Sequence, residues 1–317
     1  MAAPTNTVTS LVSIGQREDL EDVIYRVAPE ETPFFSNIGT AKATGTYHEW
    51  QTEALAAASA SNAALEGNTF TIAAGNLTTR LGNYNQIVTK AFGVSRTEDV
   101  VKKAGRTSEL NRQKVLKGIE AKRDFEMSII GNNASRAESG GNARLTGGAL
   151  AWLTSNTSVG ASGANGGFSS GVVGAATNGT LRSFTEAQVK TVMAAAFSAG
   201  GKPSQAYMGP TQKQEFSAFT GIATIRHDAP GSKMASIVGA ADVYVSDFGN
   251  LALIPHPYGL TRDCLIADPD MWATGVLDGW KSVELAQSSD STQYAITFEA
   301  CLVARNEKSS GVIRDIQ

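Results

Sequence analysis

An excess of either charge is what this chain most plainly lacks: 27 Lys and Arg stand against 30 Asp and Glu, a formal net charge of −3. Holding nucleic acid as a main task requires a concentrated surplus of Lys and Arg, so contact with DNA is expected to be incidental. Histidine is scarce. His48, His227 and His256 have no Cys, Asp or Glu at ligand spacing apart from Glu49, and the HEW at 48–50 is not the HExxH that sets two imidazoles on one helical face. The two cysteines, Cys264 and Cys301, sit in β-like apolar settings and read as reduced core thiols. No apolar run approaches the roughly 20 residues that cross a bilayer. The opening MAAPTNTVTS lacks a basic stretch followed by an apolar one, so no membrane partner and synthesis in the cytoplasm are expected.

Catalytic signatures are missing too. GGKPS at 200–204 resembles a phosphate loop, but the first glycine of GxxxxGK is absent and Pro203 stands where a Ser or Thr would hold magnesium. There is no GxSxG elbow. Asp268 and Asp270 in ADPD could bind a cation, although such pairs more commonly shape a turn. No catalytic residue, metal ligand or cofactor is expected, and an enzyme is the least favoured class because no clustered ionisable groups suggest a pocket.

What is present is a 317-residue chain, 42% hydrophobic and 18% charged, enough for one large core or two ordinary ones. REDLEDVIYRVA (17–28) sets Leu20, Val23, Ile24 and Val27 at helical spacing, and Pro29 and Pro33 stop the pattern before Phe34-Phe35. GTYHEWQ and NQIVTKAFGV read as strands, separated by an Ala/Ser/Asn stretch with too few large apolar groups for a core of its own. Ser95 and Glu98 fit a capping box, Gly105 interrupts, and Thr107 is a candidate cap for a second helical segment running to Gly131. On a helical wheel Val115, Leu116, Ile119, Phe125, Ile129 and Ile130 share one half, while Lys114, Lys117, Glu120 and Asp124 share the other. That wet half is either an ordinary solvated surface or a two-signed face that meets complementary charges on copies of the same chain.

Residues 131–181 are Gly-rich and read as long loops around one short segment, GALAWLT. SFTEAQVKTVMAAAFSAGG follows as a helix with Ser183 and Glu186 as a second candidate capping box, and Val189, Val192, Met193 and Phe197 as its apolar stripe. TQKQEFSAF reads as another helix between the β-like PSQAYMG and AADVYVSDFGNLALIPH. In WKSVELAQSSDSTQYAITFEACLVARN two strands flank the turn-rich SSDS, and Tyr294, Ile296, Phe298, Ala300 and Leu302 alternate with Thr297, Glu299 and Cys301. SGVIRDI adds a last short strand. The sum is a mixed α+β architecture.

This order of elements resembles the major capsid protein of tailed bacteriophages in the Hong Kong 97 fold. The wording is similar in two stretches: an acid-x-TPF segment near the start, here Glu31-Thr32-Pro33-Phe34, and the tail ELAQSSDSTQYAITFEACLVARNEKSSGVI. The resemblance implies an N-arm (1–39), an extended loop over a neighbouring subunit (40–93), and a peripheral domain (94–181) with a spine helix at 95–130 and Gly-rich loops at 131–181. An axial domain (182–275), the long peripheral strands (276–307) and a last axial strand (308–317) complete it. Subunit-interface candidates are then Phe34, Phe35, Trp50, Leu55, Leu65 and Phe70 with Ile72 and Leu77, and Lys114, Lys117, Glu120 and Asp124 on the wet helix face. The partners implied are many copies of the chain in pentamers and hexamers, a portal, possible scaffolding or decoration proteins, and packaged double-stranded DNA, within a virion. A long charged scaffold segment is not seen at the start, so a separate scaffolding protein is the expectation. Two other readings are an encapsulin-like nanocompartment shell, distinguished by a smaller particle without DNA, and a secreted adhesin or fibre protein, which would show β repeats. Some members of the fold weld their loops to neighbours by an acid-assisted Lys–Asn bond, yet no Lys lies between Lys42 and Lys90. Boiled shells should therefore run as intact monomers on a denaturing gel; a ladder of covalent oligomers is the contrary outcome.

Overall fold

The alternation from Tyr294 to Leu302 lies at the centre of a four-stranded sheet. The computed structural model describes residues 24, 26–69, 72, 74–219, 242–287 and 289–317. Most of the helix expected over 17–28 lies outside them, as do Phe70 and His227, and the described residues 24 and 26–28 are in no helix. Strand β13 (Ser291–Ala304) pairs antiparallel with β12 (Trp272–Glu284) on one side and with β4 (Gln86–Ser95) on the other, and β1 (Gly39–Lys42) adds parallel to β12. Successive side chains leave opposite faces of a strand. Ile296, Phe298, Ala300 and Leu302 are accordingly buried on the face that meets the long helix α3 (Glu109–Ile130). On the other face Cys301 and Val303 close a small cluster with Ala273, Ala41 and Trp50. Both thiols are free and buried, and burial pushes that of Cys301 up to about 12.

A second, six-stranded sheet runs in the order β5 (Asn156–Ser158), β14 (Gly311–Arg314), β11 (Asp263–Ala267), β8 (Gln205–Met208), β10 (Gly249–Pro255), β9 (Val243–Ser246). Helices α5 (Glu186–Ser198) and α6 (Pro210–Ser217) cover it through Val189, Val192, Met193 and Phe216. The core beneath α3 reaches across to Tyr207, Leu265 and Val312 of this sheet, so the two sheets share apolar packing.

Helix caps differ from expectation in detail. Ser95 accepts from the N–H of Glu98 and opens the short α2 (Arg96–Val100), the serine half of the box read from sequence, while the Glu98 carboxylate meets Arg106 at 3.5 Å. The spine is not continuous: Gly105, at φ 72°, turns the chain, and Ser108 caps α3 in place of Thr107. After the turn Arg106 pairs with the buried Glu109, the first residue of α3. For α5 the capping box is Thr185 with Gln188, not Ser183 with Glu186. Phe184 is buried against Phe216, which keeps the chain extended up to Thr185, and Glu186 instead accepts from Tyr244 and pairs with Lys190.

Phe34, expected at a subunit surface, is fully buried in the chain's own core, edge-on to Tyr207 and Trp272. Pro33 starts the short helix α1 (Pro33–Asn37), a position where a missing N–H costs nothing. The next two N–H groups donate to Glu126 of α3, Phe34 to Oε1 and Phe35 to Oε2, both at 2.8 Å. Because both carboxylate oxygens already accept, His256 at the end of β10 donates its Nε2–H to Oε1, at 2.9 Å. Glu126 and His256 are both buried. One carboxylate thus joins the arm, the long helix and the six-stranded sheet.

The Gly-rich stretch is more ordered than loops around one segment. Helix α4 (Ala149–Trp152) is wholly buried, β5 belongs to the six-stranded sheet, and β6 (Gly167–Ser169) pairs with β7 (Val172–Gly174). The stretch therefore adds a strand to the six-stranded sheet and packs α4 into the core beneath α3. Its organiser is Asp315, buried at φ 59°. Oδ1 accepts from Gly179 N at 2.8 Å and from Arg262 at 2.6 Å, and Oδ2 accepts from Gly160 N at 3.1 Å. A Cβ at Gly160 or Gly179 would come within 2.8 Å of Asp315 atoms, so glycine is required for this approach. Burial alone would raise the Asp315 pKa, but the bonds from Arg262, Gly179 and Gly160 outweigh it and hold the carboxyl below its usual range. Its stabilisation is in force above the ordinary carboxylate pKa of about 4 and is lost as pH falls through the lower folded-state value. Asp315→Asn should cost the unassembled chain about 3 kcal/mol in urea melts at pH 7. The gap between variant and parent should narrow below about pH 4; a gap independent of pH would contradict the assignment.

Candidate assembly surface

Of the expected excursion 40–93, strands β1 and β4 belong to the four-stranded sheet. The antiparallel pair β2 (Tyr47–Thr52) and β3 (Thr79–Tyr84) then carries residues 53–78 outward. The base is firmly tied. Tyr47 stacks on Tyr84 and donates to Gly171 O at 2.9 Å, and the buried Asn83 donates to Thr146, Gly147 and Leu302. Beyond the base, the described residues of 53–78 are in no strand or helix. Leu55, Leu65, Ile72 and Leu77 are 84–95% exposed.

The expected interface residues thus divide. Phe34 has no exposed surface, as described above. Phe35 is half-buried against Phe125 and Phe298, and Trp50 donates its Nε1–H to Ala304 O at 2.8 Å with its ring 5.5 Å from that of Trp152. These three aromatics mainly serve the chain's own packing. Leu55 and Leu65 remain free to meet something else.

The charged face of α3 is partly engaged within the chain. Lys117 pairs with Glu120 at 2.8 Å one turn away, Asp124 meets Lys90 of β4 at 2.6 Å, and Lys114 lies over the Tyr294 ring at 3.7 Å. Val115, read as inward, is 63% exposed. The helix comes close to the sheet at Gly118, where an added Cβ would stand 4.0 Å from Ile296. Sequence reading also placed Phe197 inward, but it is 54% exposed, with its ring tilted against that of Phe248 at 5.1 Å. Val243 and Val245 of β9 are exposed nearby in sequence. Neither Val115 nor Phe197 carried a local signal of its exposure.

Among the described residues no group of three or more His, Cys, Asp or Glu could hold a metal ion. Asp268 caps a single 3-10 turn, Pro269–Met271, and Asp270 lies within it. A hollow of about 340 Å³ at the base of β2–β3 is lined by Trp152, Phe168, Glu307 and Lys308. The Glu307 carboxylate there is already taken by the N–H groups of Thr154 and Ser155, at 3.2 Å each. No described helix is long and apolar enough to cross a membrane.

Two layered sheets, a long helix across one of them and a projecting loop tied at its base make a shell subunit the natural comparison. The family model of the SU10 major capsid protein matches residues 3–317. This chain belongs to that family. A major capsid protein is a structural component of the virion, and it assembles with copies of itself. A curated relative, the "Major capsid protein" of Escherichia phage Phieco32, is 34% identical over 134 residues. That match covers 42% of this chain and 38% of the relative's length. Solved structures agree on the fold. A chain from Mycobacterium phage Cain superposes with TM-score 0.61 at 11% identity, covering 98% of this chain and 99% of that one. One from Gordonia phage Cozz gives 0.60 at 9% identity, covering 99% and 97%. The phage G structure of major capsid and decoration proteins gives 0.54 at 10%, covering all of both chains. The Hong Kong 97 capsid fold expected from sequence is the one observed, and the capsid reading is favoured over nanocompartment and adhesin. For this capsid protein, Lys117→Ala and Glu120→Ala should each shift unfolding stability by less than about 0.5 kcal/mol, because the pair is solvent-screened. A larger loss in thermal melts of the unassembled chain would mean the pair matters to the monomer.

Proposed function

We propose that copies of this chain close an icosahedral head around a double-stranded DNA genome through heterologous contacts, each patch meeting a different patch on the next copy. The observation that carries this reading is the loop 53–78, whose described leucines and isoleucine are almost fully exposed on a rigid base. Burying a Leu or Ile side chain yields about 1.5–3 kcal/mol, and neighbours in a shell supply the burial that the monomer does not. Residues 1–39 act as the N-arm, 40–93 as the extended loop with its strand-paired base, and 95–130 as the spine. The six-stranded sheet with 182–275 and 308–317 serves as the axial unit gathered into pentamers and hexamers, and 276–307 as the long peripheral strands.

The near cancellation of 27 basic and 30 acidic residues suits a wall that encloses DNA without gripping it. The role is structural and non-enzymatic. The chain is made in the host bacterial cytoplasm, and a portal, with scaffolding or decoration proteins, completes the head. Expression alone or with its genomic neighbours should yield shells in negative-stain electron microscopy. Leu55→Asp/Leu65→Asp should raise the concentration needed for assembly on the order of a hundredfold or more. The same change should leave monomer stability within about 0.5 kcal/mol. A soluble monomer under every condition, or shells indifferent to this double substitution, would overturn the reading.

A further inference from the structure

The side chains of Glu126 and His256 have no exposed surface. The imidazole has a second partner besides that carboxylate. Its Nε2 faces Glu126 Oε1 at 2.9 Å, while its Nδ1 is hydrogen-bonded to the carbonyl oxygen of Tyr258, a nearer partner than the Tyr258 N–H at 3.4 Å. A neutral imidazole has one donor nitrogen and one acceptor nitrogen, and only the doubly protonated ring donates from both. Charge leads to the same assignment by a separate route. Glu126 accepts N–H bonds at both oxygens, as a carboxylate does, and a buried carboxylate is tolerated beside a cation. Arg123, one turn back on α3, lies instead over the Tyr258 ring, 5.6 Å from its centroid. The cation at hand is the imidazolium.

Residues 256–258 close on the arm twice. His256 completes the carboxylate that holds Phe34 and Phe35, and the Tyr258 hydroxyl donates to the carbonyl oxygen of Glu31. The titratable and charged groups facing this seat are Glu126 and Arg123 of α3, Tyr258 beside His256, Tyr207 of β8, and Glu31 of the arm. Burial raises the pKa of both phenols, and the Glu126 charge adds to it, so they stay neutral while an imidazole gives up a proton.

Going beyond the shell reading and independent of it, we propose that His256 is a pH-sensitive latch for the arm, which stays seated while both ring protons are present and comes away when one is lost. Loss of a proton turns a ring lone pair toward the Tyr258 carbonyl or toward Glu126, and in either case leaves Glu126 as an uncompensated charge in the core. Of the elements at the seat α1 is the shortest, five residues against the 22 of α3, and water reaches the carboxylate by displacing it. His256 acquires these partners only on folding. Their stabilisation is present in full while the ring is doubly protonated and fades as pH rises and the proton leaves.

The test uses the full, unassembled chain. Long-range nitrogen–proton spectra, with the His256 signals identified by elimination in His48→Gln and His227→Gln, should show protons on both of its ring nitrogens at about pH 7.5, where an exposed histidine has lost one. Hydrogen exchange, corrected for the intrinsic effect of pH, reads the arm. Protection of the Phe34 and Phe35 amides should fall roughly tenfold or more between about pH 7 and about pH 9.5, while the β13 amides keep theirs. His256→Gln retains a donor for Glu126 but no titratable charge, and should leave the two arm amides poorly protected at either pH. Tyr258→Phe removes the other alkaline group at the seat and should keep the parent's pH course. A ring nitrogen of His256 without a proton at the lower pH, arm amides equally protected at both values, a Tyr258→Phe chain that has lost the pH course, or His256→Gln with the parent's protection would each overturn the latch. If His256→Gln does not fold, the parent spectra and the exchange of the parent and Tyr258→Phe decide.

Discussion

Glu126 is the group on which the arrangement of this subunit turns. A carboxylate with no solvent is tolerated only when its oxygens are satisfied, and here two backbone N–H groups of α1 and the imidazole of His256 do so. The geometry fixes three things together. The arm enters at one point, Phe34 drops between Tyr207 and Trp272, and α3 is held against the end of β10. Removing the carboxylate would strand polar hydrogens from two different parts of the fold in an apolar interior. The arm and the long helix are therefore set by the same interaction, and the surface that α3 presents depends on it.

Around that point the chain spends its large apolar residues unevenly. The aromatics Phe34, Trp50, Phe125, Trp152, Trp272 and Phe298 knit the two sheets together. The aliphatic residues of the loop, and Val115 above the sheet, find no place in that core. A stable body with a deliberate surplus of uncovered side chains is what a shell subunit needs, since the body must survive alone long enough to find its neighbours. Asn83 and Tyr47 tie the two ends of the loop to the body, so the surplus emerges at a fixed point.

Much of this was legible in the chain itself. The β13 alternation, the strands around residues 47 and 90, the long two-signed helix and the shortage of core residues in the loop follow from local periodicity and composition. What escaped sequence reading depended on tertiary geometry. The α5 cap shifted by two residues because Phe184 packs on Phe216, 32 residues along the chain. Phe34 and Trp50 looked available because the groups that take them up, Glu126 with Tyr207 and Trp272 in one case and Ala304 in the other, are far along the chain. The order within 131–181 was hidden for the same reason: its glycines make room for Asp315, and no local pattern announces a partner more than a hundred residues away.

The strand pairings have a kinetic consequence. Gly39 lies beside Ala273, Asn156 beside Gly311, and Gln86 beside Ala300, so neither large sheet can close until segments from opposite parts of the chain have met. Loop-closure entropy must be met before those ladders return any stabilisation, which makes folding slow and leaves unpaired edges open to aggregation in the interval. A host cell making this chain in bulk would face a demand on its chaperones set by topology, independent of how readily the finished subunits join.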